Sequence, residues 1–179
     1  RVLPILLLLL LSAGLAPRAI GQDELPLTAP WHQRMKVVRS NHYIIHSDLT
    51  EDETRAYARH LDIVFQAYVK RLGSLRQRAP QSLNVYLFAK RDDYLRTLES
   101  QFGIDGTGTG GMFFVNQRGN GLAIWTEGLP RQRVEHVIQH EGFHQVAFAL
   151  FGGELPVWAN EGLAEFFGEG VVVGNELVI

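Results

Sequence analysis

Apolar and polar positions divide the chain into clear elements. Tyr57, Leu61, Val64, Tyr68 and Leu72 recur at helical spacing. Thr50 followed by Glu53 forms a capping box at the start of that helix, and Gly73 marks its end. The charged residues between them, Arg55, Arg59 and Lys70, make a solvated face, and Arg71, Arg76 and Arg78 a small basic surface cluster. Upstream, Val37-Val38 and Tyr43-Ile44-Ile45 flank a Ser40-Asn41 turn signal, which predicts a hairpin. His42 and His46 fall on one face of its second strand and read as core or surface histidines rather than ligands. Leu83 to Phe88 reads as a buried strand. A short helix starts at Asp92-Asp93, where a helix N-terminus favours negative charge, and ends near Ser100.

Two strands, Met112 to Val115 and Leu122 to Trp125, come next, with a turn signal at Asn120-Gly121. Pro130 then opens a long helix with an apolar stripe of Val134, Val137, Ile138, Phe148 and Phe151, and Gly152-Gly153 stops it. Pro156 opens another helix that runs to Phe167. A last hairpin turns at Gly174-Asn175. The fold class this implies is α+β, with a small mixed sheet.

At 179 residues, one main domain is expected. A formal charge of −2 gives no basic field, so nucleic acid is not an expected partner. The absence of cysteine excludes disulfides and thiolate metal sites. Arg1, the leucine-rich run to Leu11 and the small residues to Ala16 read as a secretory signal peptide over 1–21. The apolar run is shorter than the ~20 residues that a membrane span needs, so the expectation is an exported protein, periplasmic or extracellular. The alternative is an uncleaved N-terminal anchor, the one route to a membrane. Residues 22–34 are proline-rich and read as a linker, leaving 35–179 as the functional domain.

The chemistry concentrates in His140-Glu141-Gly142-Phe143-His144. A helical turn takes about 3.6 residues, so His140 and His144 stack on one face and reach a common ion. Glu141 sits roughly 60° round the axis from His144, within reach of a water on that ion. This is the H-E-x-x-H pattern of zinc hydrolases. Catalytic zinc sites take three protein ligands and leave one position for water, and two histidines with a glutamate are one such set. Glu161, with sixteen residues between it and His144, is the natural third ligand, and Glu165 shares its helix face.

Through His140-Glu141-x-x-His144 and Asn160-Glu161-Gly162-Leu163-Ala164, the chain resembles the gluzincins, the thermolysin-like and aminopeptidase-like zinc peptidases, and more closely the peptidase MA-like branch. The resemblance is sharp over 130–167 and only architectural upstream. It implies a zincin-like fold, with one helix carrying the two histidines and a second carrying the Glu ligand. It also implies one Zn²⁺ on His140, His144 and Glu161, with Glu141 as general base in peptide-bond hydrolysis. Glu165 would hold a ligand imidazole, and Asn160 would brace the same helix or a neighbouring backbone. The implied partner is a peptide or protein substrate laid along an edge strand just before the zinc helix, in one of the two strands of 112–125. The family usually continues with a helical part that closes the cleft, so the expected domain is truncated at its C-terminus. A Tyr or His from that later part supplies the oxyanion donor in the family, and this chain has no Tyr, His or Arg after Phe167.

Three further motifs have competing readings. The glycines of 103–111 lack the Gly-Lys-Ser/Thr ending of a phosphate loop and precede a strand, so they read as a mobile loop on the cleft rim. Asp92-Asp93 resembles half of an acid/base pair, but its helix-terminal position accounts for it. His136 reads as a surface residue or a support for a ligand. Two readings compete with the peptidase. One is an inactive zinc-binding, peptidase-like module that binds a cell-envelope polymer or a protein. The other is purely structural, with core histidines and a solvated acidic face.

Overall fold

The computed structural model describes residues 34–72, 82–153 and 155–179. The signal peptide and nearly all of the linker, together with Gly73, Arg76 and Arg78, lie outside these residues. The architecture is α+β: a five-stranded mixed sheet, four α-helices and a small C-terminal hairpin. Among the described residues, no helix is long and apolar enough to cross a membrane.

The sheet runs β1-β2-β3-β5-β4. Strands β1 (Lys36–Arg39) and β2 (Tyr43–Ser47) form the antiparallel hairpin predicted from sequence. Helix α1 (Glu51–Arg71) crosses from β2 to β3 (Leu83–Phe88), and these two strands pair in parallel. The Thr50 side chain accepts from the Glu53 amide, and Glu53 answers by accepting from the Thr50 amide, so the capping box forms. Helix α2 (Arg91–Thr97) passes into a π-helical turn at Leu98–Phe102, which ends at Gly103 in the left-handed region. Asp93 in its first turn is paired with Arg34 and Arg96, so it has a local structural role beyond the helix dipole.

Strands β4 (Gly111–Asn116) and β5 (Gly119–Trp125) form an antiparallel hairpin, and β5 also pairs in parallel with β3. The turn is not at Asn120-Gly121. It falls at Gln117-Arg118, and Asn120 and Gly121 are already in β5, opposite Val115 and Phe114. The glycine at 121 has a packing reason: a Cβ there would lie 2.8 Å from the Tyr86 ring.

Both sheet faces are covered, so β3 is apolar at nearly every position. On one face Tyr43, Ile45, Val85, Leu87, Leu122 and Ile124 pack under α1 and the two later helices, Arg131–Phe151 and Val157–Gly168. On the other, Tyr86, Phe88 and Ala123 meet Tyr94, Leu98 and Phe102. The two upstream histidines separate onto these two faces, against expectation. His42 precedes β2 and stacks on Phe65 of α1, whereas His46 stacks on Tyr86. Starting the strand at Tyr43 frees His42 from the strand's alternation.

Helix α3 (Arg131–Phe151) starts after Pro130 and stops at Gly152, which is in the left-handed conformation. Helix α4 (Val157–Gly168) follows Pro156. The chain then forms β6 (Val171–Val173) and β7 (Glu176–Val178), the hairpin predicted around Gly174-Asn175. A cluster of Tyr68, Phe143 and Phe167 ties α1, α3 and α4 together, with ring centroids 4.8 to 5.7 Å apart. Each such pair adds about 0.5–1.5 kcal/mol beyond burial. Arg71 joins this end of the molecule by lying over the Phe166 ring.

Candidate metal centre

Helix α3 presents His140 and His144 on the face that meets α4. Their Nε2 atoms are 3.3 Å apart, and each is 3.6 Å from Oε2 of Glu161. Helix α4 supplies Glu161 and, one turn on, Glu165, whose Oε2 lies 3.3 Å from Nδ1 of His140. The four side chains therefore meet at one seam between two helices. His144 is mostly buried, and its Nδ1 has no hydrogen-bond partner.

Buried Gln139 locks that seam. Its Nε2 donates to the carbonyls of Phe167, Gly168 and Gly170 at 2.8, 3.1 and 2.9 Å. Its own carbonyl accepts from the Tyr68 hydroxyl. Nothing in the motif flags Gln139; the available signal was a polar residue between the core residue Ile138 and the ligand His140. Asn160 makes no side-chain hydrogen bond to a ligand residue among those described. Its amide closes the first turn of α4 on Pro156, and it lines the cavity beside Glu161. His136 lies one turn before His140, with Nδ1 3.0 Å from the Gly168 carbonyl.

Glu141 reaches toward the sheet. Its Oε2 accepts from the Phe113 amide at 3.0 Å. Burial pushes its carboxyl above the usual range; the Phe113 amide and the two imidazoles pull it down, and Glu161 pushes it up again. Phe113 belongs to β4, the edge strand of the sheet, so that edge lies directly beside the histidines. Nothing in the sequence marked Phe113 for contact with Glu141.

Two cavities flank the seam. One of about 250 Å³ is apolar on one wall, with Phe113, Ala147, Phe148 and Leu155, and carries His144 and Glu161 on the other. The second, of about 370 Å³, is polar and lined by Gly110, Gly111, Arg133, His136, Glu141 and Glu165 among others. The glycine loop thus ends on the rim of the site. Thr109 holds it down, bonding to the Tyr94 hydroxyl and the Gly106 carbonyl and accepting from the Trp125 indole.

The donor set fits zinc. Two imidazoles and a carboxylate are its usual ligands, at about 2.0–2.2 Å. Tetrahedral bonds of that length put ligand atoms about 3.3–3.5 Å apart. The 3.3 Å nitrogen separation matches, and the 3.6 Å nitrogen–oxygen distances are nearly closed. His140 also has a carboxylate at its far nitrogen, the arrangement that fixes a ligand imidazole's tautomer. A scan against protein-family models finds no match to this chain, and a search of curated proteins finds none either.

Proposed function

We propose that this chain is an exported zinc-dependent peptidase of zincin-like fold, hydrolysing peptide bonds in peptides or proteins. The observation that carries the reading is the convergence of His140 Nε2, His144 Nε2 and Glu161 Oε2 within 3.6 Å of one another. When bound, the ion supplies Lewis acidity, lowering the pKa of a water toward ~7 and polarising a carbonyl. His140 and His144 offer neutral nitrogens to it, and Glu161 offers an anionic oxygen. Glu165 accepts the Nδ1 proton of His140 and keeps its Nε2 lone pair on the seam. Glu141 takes the proton of the attacking water on a carboxylate oxygen and returns it to the leaving amine.

The substrate backbone is placed along β4. An extended peptide adds to an open sheet edge through main-chain hydrogen bonds, and β4 is the edge next to Glu141. The Phe113 amide holds one oxygen of Glu141, leaving the other for proton transfer.

The experiment is zinc content and peptide hydrolysis for the parent and for Glu141→Gln. The variant should keep its zinc and lose at least about 100-fold in turnover. Turnover equal to the parent's would remove Glu141 as the base.

One observation favours a second reading, a zinc-binding module without hydrolysis. Glu141 already has a structural partner in the Phe113 amide. Bound zinc with no turnover on a broad peptide library would select that reading.

A further inference from the structure

The ligand histidines are part of a longer stripe. His136, His140 and His144 are spaced four apart on α3, and Glu161, Glu165 and Glu169 are spaced four apart on α4 and its cap. The two stripes interleave in opposite directions. Glu161 lies 3.6 Å from both His140 and His144, Glu165 lies 3.3 Å from His140, and Glu169 lies 3.7 Å from His136. The zinc reading uses only one end of this ladder.

The other end carries charge that stability does not explain. Carboxylates four apart on a helix repel one another. Glu169 also caps the C-terminus of α4, where the helix dipole is already negative. Among the described residues, neither Glu165 nor Glu169 pairs with a lysine or arginine. One atom each from His136, Glu165 and Glu169 lie within 4.8 Å of one another. His136 Nδ1 lies 3.7 Å from Oε1 of Glu169 and 3.0 Å from the Gly168 carbonyl, so it is the ring nitrogen turned toward that glutamate. His136 and Glu165 also line the polar cavity of about 370 Å³.

We propose that His136, Glu165 and Glu169 form a second site for a divalent transition-metal ion, weaker than the first, and that filling it draws Glu165 away from His140. Nitrogen and carboxylate donors suit Zn²⁺, Co²⁺ or Ni²⁺. The site is weaker for two reasons. Its two glutamates are largely exposed and must swing inward, and Arg133 lines the same cavity with opposing charge. Glu165 serves both sites, so an ion on its oxygen weakens its hold on the His140 ring. Excess zinc is thereby a brake on the first site. This last clause rests on the peptidase reading; the existence of the second site does not.

The test is a calorimetric titration of the metal-stripped full chain with Zn²⁺, repeated for Glu169→Gln, His136→Ala and Glu161→Ala, each checked for folding by circular dichroism. The parent should bind two ions, the second at least tenfold more weakly. Glu169→Gln and His136→Ala should bind only the tight ion. Glu161→Ala should keep the weak one. A single ion on the parent, or two ions on both Glu169→Gln and His136→Ala, overturns the second site. Two ions on Glu161→Ala leave the second site standing and count against the third ligand of the first. In hydrolysis assays excess Zn²⁺ should inhibit the parent, and Glu169→Gln should need at least tenfold more. Equal inhibition of the two removes the brake.

Discussion

The amide of Phe113 donates to Oε2 of Glu141 across 3.0 Å, joining the edge of the sheet to the residue between the two histidine turns. The strand edge therefore helps to position the carboxylate. Proline at 113 removes the donor, and an edge strand tolerates proline where the N–H points away from its neighbour. Losing one hydrogen bond to a charged group is worth about 1.5–3 kcal/mol, or roughly 10–100-fold. Phe113→Pro is expected to lower kcat by that factor with zinc retained. Phe113→Ala, which keeps the amide, should instead change KM through the apolar cavity. Steady-state kinetics of the two variants separate these effects, and an unchanged kcat in Phe113→Pro contradicts the coupling.

Gln139 holds three carbonyls at the end of α4; leucine there removes a hydrogen bond from each and leaves the Gly170 carbonyl without its donor, while Phe167 keeps the Gly170 amide and Gly168 keeps His136. Leaving buried acceptors unpaired costs about 1–3 kcal/mol each, moderated by the water that reaches them. Gln139→Leu is expected to lose roughly 2–4 kcal/mol in urea denaturation. It should also bind zinc more weakly, because Glu161 rides on the helix it frees. Stability within about 0.5 kcal/mol of the parent would show that the clamp is ornamental.

Much of the fold was legible because most elements obey one local rule. The β1–β2 hairpin, the α1 capping box, β3 and the closing hairpin follow from periodicity and turn chemistry. The β4–β5 turn was misplaced because Gly121 is a glycine for the Tyr86 ring and not for a turn, and such a distant packing demand leaves no local mark. For the site, the spacing of His140 and His144 was readable, since both lie on one helix. The meeting with Glu161 could be proposed from its place on the next predicted helix, but only a three-dimensional arrangement could measure it. Phe113 and Gln139 were invisible, because their roles depend on backbone groups of other elements.

Glu165→Gln tests the support given to His140. Groups of this kind are typically worth 10–100-fold in metal affinity or activity. Zinc affinity is expected to fall by that range, with the fold intact because the Glu165 side chain is exposed. Competition against a fluorescent chelator measures it, and parental affinity would leave Glu165 without this role.

His60 sets a pH limit on stability. Its ring is buried, and burial lowers its pKa below the ordinary 6.5 even though Glu135 and Gln139 pull it upward. The unfolded chain therefore binds the proton more readily than the folded one. The stability His60 contributes is full above about pH 6.5 and is lost as pH falls toward its lowered folded value. Thermal melts of the parent should decline over that window, and His60→Gln should flatten the decline. Equal slopes would assign the acid sensitivity to other groups.

The most direct test of the metal centre is the zinc dissociation constant of Glu161→Ala against the parent, read by competition with a chelator at neutral pH. Glu161 is exposed and outside the core, so the variant should fold as the parent does. Removing a direct ligand should weaken zinc by more than the 10–100-fold typical of supporting groups, so a loss above about 100-fold is expected. A dissociation constant equal to the parent's would contradict the three-residue site formed by His140, His144 and Glu161.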